Sequence, residues 1–279
     1  MKPGQASMTA ELVCMGRAIA DGRTPAFSDP TALPLLSDRA RERVQRVRSG
    51  VAPKGLRESV IHGYLARQAK VMVARTMAID DAVRAAAAPE LVILGAGLDG
   101  RAWRMRELAD AIVFEVDHPD TQREKRARTG ALTQAAREVR FVPVDFARDD
   151  LDAALSAAGH DPTRPTTWIW EGVVMYLDRA AISATLDVVA RRSTSGSHLI
   201  ILYHAPAPVL RLVGLLVRRV GEPLRSAFTD VQMRALLAEH DFDVVRDRSI
   251  PEVGAELSAE LGKAASVAKH LRVVTAARR

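Results

Sequence analysis

Hydrophobic positions in this chain change their period near residue 90. Upstream, apolar residues recur at helical spacing in TAELVCMGRAIAD (9–21) and in a long amphipathic stretch over 60–87. A Pro-broken connection, FSDPTALPLLSD (27–38), and the helically spaced RARERVQRVR (39–48) lie between them. Downstream, short apolar runs of strand type alternate with helical segments. The strands are LVIL (91–94), AIVFEV (111–116), VRFVPV (139–144), TTWIWE (166–171) and SHLIILYH (197–204). The helices between them are predicted at 101–108, 119–129, 151–158 and 179–192. Strands separated by helices imply βαβ units, and hence an α/β fold with a parallel sheet covered on both faces.

The tail breaks that rhythm. FTDVQMRALLAEH (228–240) predicts a helix with Thr229 at its N-cap. DFDVVRDRSI (241–250) and HLRVVTAARR (270–279) then read as two strands with no evident crossover helix, which predicts an antiparallel pair at one sheet edge. No internal repeat or low-complexity linker is present. At 279 residues and 48% hydrophobic, the chain suits one sizeable α/β domain with extensions, and two full domains would be cramped.

Charge changes the picture little. A formal charge of +6 and a pI near 9.9 raise the question of nucleic acid. The arginines, however, are scattered from Arg17 to Arg279 among 34 acidic residues, and the 39–48 cluster reads as a solvated helix face, so no nucleic-acid partner is predicted. The single cysteine, Cys14, excludes an internal disulfide framework and a cysteine-rich metal site; no metal is predicted, and an apolar helical setting makes Cys14 a core thiol. No apolar run reaches the roughly 20 residues that span a bilayer, and the N-terminus lacks a signal-peptide core. A soluble, cytoplasmic protein is expected.

The informative chemistry sits in LVILGAGLDGRAWRM (91–105). Gly95, Gly97 and Gly100 satisfy G-x-G-x-x-G between a strand and a helix, and Glu115 follows where a dinucleotide fold keeps its ribose-binding acid. That reading gives an NAD-dependent oxidoreductase. Against it stands a row of acids at or near strand ends: Asp99 in the turn, Glu115 and Asp117 after the second strand, Asp145 after the third and Glu171 after the fourth. A diphosphate would be repelled by such a row, whereas S-adenosylmethionine (SAM) carries a sulfonium and an ammonium and offers hydroxyl and amine donors. The glycines serve either ligand by letting backbone approach closely. Asp99 is also placed to cap the next helix, and one of Glu115 and Asp117 fits a solvated strand end. Glu171 follows apolar WIW, where an unpaired structural carboxylate would be costly to bury.

Four ordered segments, LVILGAGLDGRAWRM, FEVDHPDTQREK, FVPVDF and WIWEGVVMYL, resemble the successive motifs of the leucine carboxyl methyltransferase family. This is a family of SAM-dependent enzymes that includes bacterial O-methyltransferases and polyketide-tailoring carboxyl methyltransferases. The resemblance extends upstream to TAELVCMGRAIADGRTPAFSDPTA and VARTMAIDD, and downstream to GEPLRSAF and VVTAARR. It implies a class I SAM-methyltransferase, Rossmann-like α/β fold, with a seven-stranded, mostly parallel sheet whose last strand is antiparallel and inserted. It also implies one methyltransferase domain over 1–279, made of a helical cap (1–88), a cofactor-binding core (89–205), a lid insert (206–228) and a C-terminal helix with strands (229–279).

Carried over, the family pattern sets Arg75 against the methionine carboxylate and the backbone of Gly95, Ala96 and Gly97 against the amino-acid moiety. Asp117 would hold the ribose hydroxyls, Asp145 and Phe146 would lie at the adenine, and Glu171 would sit near the ammonium. Gly100 departs from the family's usual Thr, which is expected to lose a hydroxyl and loosen the turn. The basic amphipathic VLRLVGLLVRRV (209–220) has the pattern of a membrane-surface helix, but a lid over an apolar methyl acceptor accounts for it and is the reading taken, so no membrane partner is expected.

Methyl transfer from a sulfonium mainly needs alignment, so no elaborate catalytic triad is expected. Tyr203, His204 and Tyr176 are the polar groups best placed to meet the acceptor, although Tyr176 also fits helix-start packing and His204 a loop histidine. Arg211 and Arg225 are at hand for an anion. The predicted partner is a small-molecule acceptor, its nucleophile a carboxylate, with a hydroxyl as the alternative; oligomeric state is not readable.

Overall fold

The computed structural model describes residues 8–24, 27–53, 55–146, 148–208 and 224–279. Four helices come first: α1 (Met8–Ala20), α2 (Ala32–Leu35), α3 (Asp38–Arg48) and α4 (Leu56–Ala86). Then follow β1 (Glu90–Leu94), α5 (Arg101–Arg104), β2 (Ile112–Asp117), α6 (Pro119–Thr129), β3 (Glu138–Pro143), α7 (Leu151–Ala157), β4 (Thr166–Trp170), α8 (Arg179–Arg191) and β5 (His198–His204). The tail holds α9 (Asp230–Glu239), β6 (Phe242–Ser249), α10 (Ile250–Leu257), α11 (Ala259–Ala265) and β7 (Leu271–Arg278).

The seven strands form one sheet in the order β3-β2-β1-β4-β5-β7-β6. β1 to β5 are mutually parallel, and β7 runs antiparallel to both β5 and β6. The central strands β1, β4 and β5 are buried on both faces because both are covered, whereas the edge strand β3 is only partly buried. On one face Val92, Phe114, Trp168 and Ile201 pack with Leu186 of α8 and Leu237 of α9. On the other, Ile93, Val113, Ile169 and Leu202 pack with Met72 and Ile79 of α4 and Ile250 of α10. A third cluster joins α1, α2 and α3 to α4 around Cys14, Leu35, Val44 and Val73. Cys14 is fully buried and donates to the Ala32 carbonyl at 3.2 Å; burial pushes its thiol up to about 12, which leaves it inert.

Two element expectations are corrected. The helix expected over 101–108 breaks at Met105, whose extended backbone (φ −89°, ψ 104°) separates α5 from a 3₁₀ turn, Arg106–Leu108. The two late strands are not joined directly, since α10 and α11 intervene. Their starts were legible: Ser249 and Glu252 form a reciprocal capping box with Pro251 inside the first turn, and Ser258 caps α11. The expected N-cap Thr229 forms a capping box with Gln232.

No described helix is long and apolar enough to cross a membrane. Most of the expected lid insert, including Arg211, lies outside the described residues.

Candidate functional site

Register sets the site. Leu94, the last residue of β1, pairs with Val116 of β2 and Trp170 of β4, so the chain leaves three adjacent strands at one level. Between β1 and α5 the backbone turns through Gly95 (φ +70°) and Gly97 (φ +49°), conformations that side chains disfavour. Space excludes side chains there too: a Cβ on Gly95 would lie 2.3 Å from Val173 Cγ2, and one on Gly97 would lie 3.0 Å from Ala10 Cβ of α1. The amides of Gly95 and Ala96 both donate to the Val116 carbonyl, at 2.8 and 3.0 Å, which stitches the turn to β2.

Asp117 ends β2 and accepts hydrogen bonds from the backbone N–H of Gly97 and, at 2.6 Å, of His118. Burial raises its carboxyl above the usual range despite those donors. Asp145 and Phe146 follow β3, and the Asp145 amide donates to Asp149 at 2.8 Å. Glu171 follows β4. These residues, with Arg75 and Asp99, line one cleft of about 1060 Å³. Tyr64, Gln68 and Met72 of α4 line it too, together with Tyr176, His204 and His270.

Beneath the turn lies a buried charge network that sequence reasoning missed. Arg101 reaches Asp80 at 2.8 Å, Glu171 at 3.0 Å and Asp99, whose other oxygen accepts the Arg101 backbone N–H at 2.7 Å. Arg75 Nε meets Glu171 at 2.5 Å. Arg104 pairs with Asp80 at 2.7 Å and approaches Asp29 at 3.7 Å; Asp29 in turn meets Arg17 at 2.8 Å. Arg17 then donates to the Leu98 carbonyl in the glycine turn at 2.6 Å. Burial opposes ionisation of Asp99 and Glu171. The arginines overcome it, holding Asp99 at about 2 and Glu171 below the usual carboxylate range. The only local signal was the pair Arg101 and Arg104 opening a helix straight after the turn; nothing in the sequence joins Arg17 to Asp29 or Arg101 to Asp80.

Two candidates fall outside the cleft lining. Glu115 is inside β2, fully buried, and its carboxylate meets Lys125 of α6 at 2.6 Å. Alternation along the strand turns it away from the face that Val116 occupies, and burial raises its carboxyl to about 7 even beside the lysine. Tyr203 is likewise turned into the core, its hydroxyl donating to Asp247 at 2.6 Å and accepting from Arg272 at 3.1 Å. His204 and Tyr176 do line the cleft, as does Arg225. The acid row is also not the bare negative edge expected, because Asp99 and Glu171 are matched by arginines and Glu115 by Lys125. Asp117 instead accepts from the backbone N–H groups of Gly97 and His118.

The family model for leucine carboxyl methyltransferase matches residues 10–190, a span containing the turn, the strand-end acids and the arginine network. The chain belongs to the leucine carboxyl methyltransferase family. A relative from Mycolicibacterium gilvum, named "Putative S-adenosyl-L-methionine-dependent methyltransferase", is 36% identical over 82% of this chain and 75% of its own length. Among solved structures, a DUF574 family protein from Streptomyces avermitilis is similar with a TM-score of 0.62 and 14% identity over 98% of each chain. A putative methyltransferase from Thermobifida fusca gives 0.56 at 14% identity, over 100% of this chain and 97% of that one. At that identity the likeness is one of fold, and the fold is the class I methyltransferase sheet implied by the sequence motifs.

Proposed function

We propose that this leucine carboxyl methyltransferase family member methylates a carboxylate on a small, largely apolar molecule, drawing the methyl group from SAM. The observation that carries the cofactor reading is the positive-φ glycine turn lining the cleft, with Asp117 anchored beside it. Asp117 would hold the ribose hydroxyls, Asp145 and Phe146 the adenine, Glu171 the ammonium and Arg75 the methionine carboxylate. SAM supplies a methyl on a sulfonium: a carboxylate oxygen gives a lone pair to the methyl carbon, the C–S electrons return to sulfur, and a methyl ester and S-adenosylhomocysteine result. The side chains then have to align the groups and exclude water. α1, which passes over Gly97 and ties to Leu98 through Arg17, supports a helical cap over the core.

The reading of the methyl acceptor rests on the rest of the cleft lining. Apolar Val71, Met72 and Leu271 share it with Arg225 and two histidines, which suits an acid on an apolar body. A carboxylate with a pKa near 4 is ionised at neutral pH and needs no general base, unlike a phenol near 10.

Replacing Asp117 with Ala is expected to weaken S-adenosylhomocysteine binding by about 1.5–3 kcal/mol, the scale for charge-assisted hydrogen bonds to a buried partner. Calorimetry checks it, and NAD should give no heat with the unaltered protein; normal affinity in the variant would leave Asp117 a purely structural residue. For the methyl acceptor, the rate with a turned-over substrate is expected to be flat in kcat from about pH 6 to 9, and mild alkali should release methanol from the product. A rate climbing with pH and an alkali-stable product would mean a hydroxyl nucleophile.

A further inference from the structure

Where β5 and β7 meet the cleft stand two histidines that the cofactor reading does not use. His204 is the last residue of β5, and His270 immediately precedes β7. The backbone clamps them together: Ala205 N–H donates to the His270 carbonyl at 2.6 Å, and His204 pairs with Leu271 in the antiparallel ladder. Their rings meet edge to face, with centroids 5.1 Å apart at 70°, and both line the cleft. One nitrogen is constrained further. His204 Nδ1 is buried and, among the described residues, has no hydrogen-bond partner.

That constraint fixes the tautomer. A proton on Nδ1 would be a stranded buried donor, which is more costly than a buried lone pair, so the hydrogen belongs on Nε2. Protonating the ring would load Nδ1 as well, and burial, with His270 and Arg75 close by, pushes His204 down to about 4. His270 is lowered by burial too. The charged and titratable groups acting on His204 are thus Arg75 from α4 and His270 from the approach to β7. A histidine base in a hydrolytic triad is oriented by a carboxylate that also stabilises its cation. Among the described residues no carboxylate stands against His204 Nδ1. The arrangement suits a neutral donor and does not suit a base.

We infer that His204, backed by His270, is the hydrogen-bond donor that positions the carboxylate of the methyl acceptor, through a neutral Nε2–H held in that tautomer by the buried Nδ1. The inference rests on the carboxylate reading above. A neutral donor aims one oxygen without the tight ion pair that a cation would form, and it leaves the other oxygen free to attack.

The test uses the full chain with ring-¹⁵N histidine, saturated with S-adenosylhomocysteine, and His204→Gln to assign the signals. Expected are the Nε2–H tautomer with no imidazolium between about pH 6 and 9, and shifts of both rings on adding octanoate but not octanol. In turnover, His204→Ala should lower kcat/KM for the acid about tenfold at every pH from about 6 to 9, the loss of one neutral hydrogen bond, and His204→Gln, whose amide nitrogen reaches near Nε2, should recover most of it. An Nδ1–H tautomer, rings unmoved by octanoate, or a kcat that titrates and collapses in His204→Ala would each overturn the inference. Failure of the reading beneath it looks different: the product itself would then be stable to alkali.

Discussion

Replacing Arg101 with Met is expected to destabilise the protein by about 3–5 kcal/mol at pH 7.5, more than any other single charge removal in the network. Arg101 is 2% exposed and touches Asp80, Asp99 and Glu171. Glu171 would keep Arg75 and Asp80 would keep Arg104, but Asp99 would lose its close cation while staying buried. A stranded buried carboxylate is the costly outcome, because the desolvation already spent on it is no longer offset. Urea unfolding of Arg101→Met, Asp99→Asn and the double variant checks the assignment. The double variant should be markedly more stable than Arg101→Met alone, and strict additivity would show that Asp99 is not the stranded group.

The pH dependence follows with a definite sign. Asp99 titrates near 2 in the folded protein, below its unfolded value of 3.8, so its contribution is fully present above about pH 4 and is lost as pH falls toward 2. Without the Arg101 guanidinium the largest charge opposing burial is gone, and the Asp99 carboxyl rises. The variant's deficit should therefore be largest near neutrality and narrow as pH falls through the range where Asp99 takes up a proton. A deficit that stays constant from pH 7.5 to 4.5 would point to lost packing instead.

How much of this was legible in the sequence divides along physical lines. Strand positions, helix caps and the glycine turn are local: Thr229 announces α9, and GAGLDG announces a tight strand-to-helix turn, because backbone chemistry is written within a few residues. The sheet order was carried by the family motifs, and the break at Met105 was hidden by a helical pattern on either side. Side-chain partners are another matter. Glu115 and Asp117 are two residues apart and looked equivalent as strand-end acids. Only the placement of Lys125 on α6 shows that Glu115 belongs to a buried ion pair while Asp117 holds the turn. Tyr203 and His204 are neighbours, yet alternation sends one to Asp247 and Arg272 and the other to the cleft wall.

The turn itself supplies the second large effect, at the position where the family usually has Thr. Gly100 was expected to leave the turn loose and short of a hydroxyl. The space is instead filled from the N-terminal cap: a Cβ built on Gly100 would lie 1.8 Å from Thr31 Oγ1 and 3.0 Å from Thr31 Cβ. Thr31 is 3% exposed, and its hydroxyl donates to Asp29 at 2.5 Å, the same carboxylate that anchors Arg17 and, through it, the Leu98 carbonyl. One hydroxyl thus occupies that spot from a different part of the chain.

Restoring the family residue with Gly100→Thr is therefore expected to harm this protein, by about 3 kcal/mol, the upper end for overpacking a closed interior. Thr31→Gly alone should cost less, through the lost hydrogen bond to Asp29 and a small void. The two together should recover much of the loss, because the added threonine then enters the room its counterpart has left. Thermal unfolding of the three variants, with S-adenosylhomocysteine affinity beside it, reads the coupling directly. If Gly100→Thr is stable on its own, the cap yields without strain and Thr31 is not the occupant of that space; if the double variant is no better than the worse single, the seam between cap and turn depends on more than this one pair.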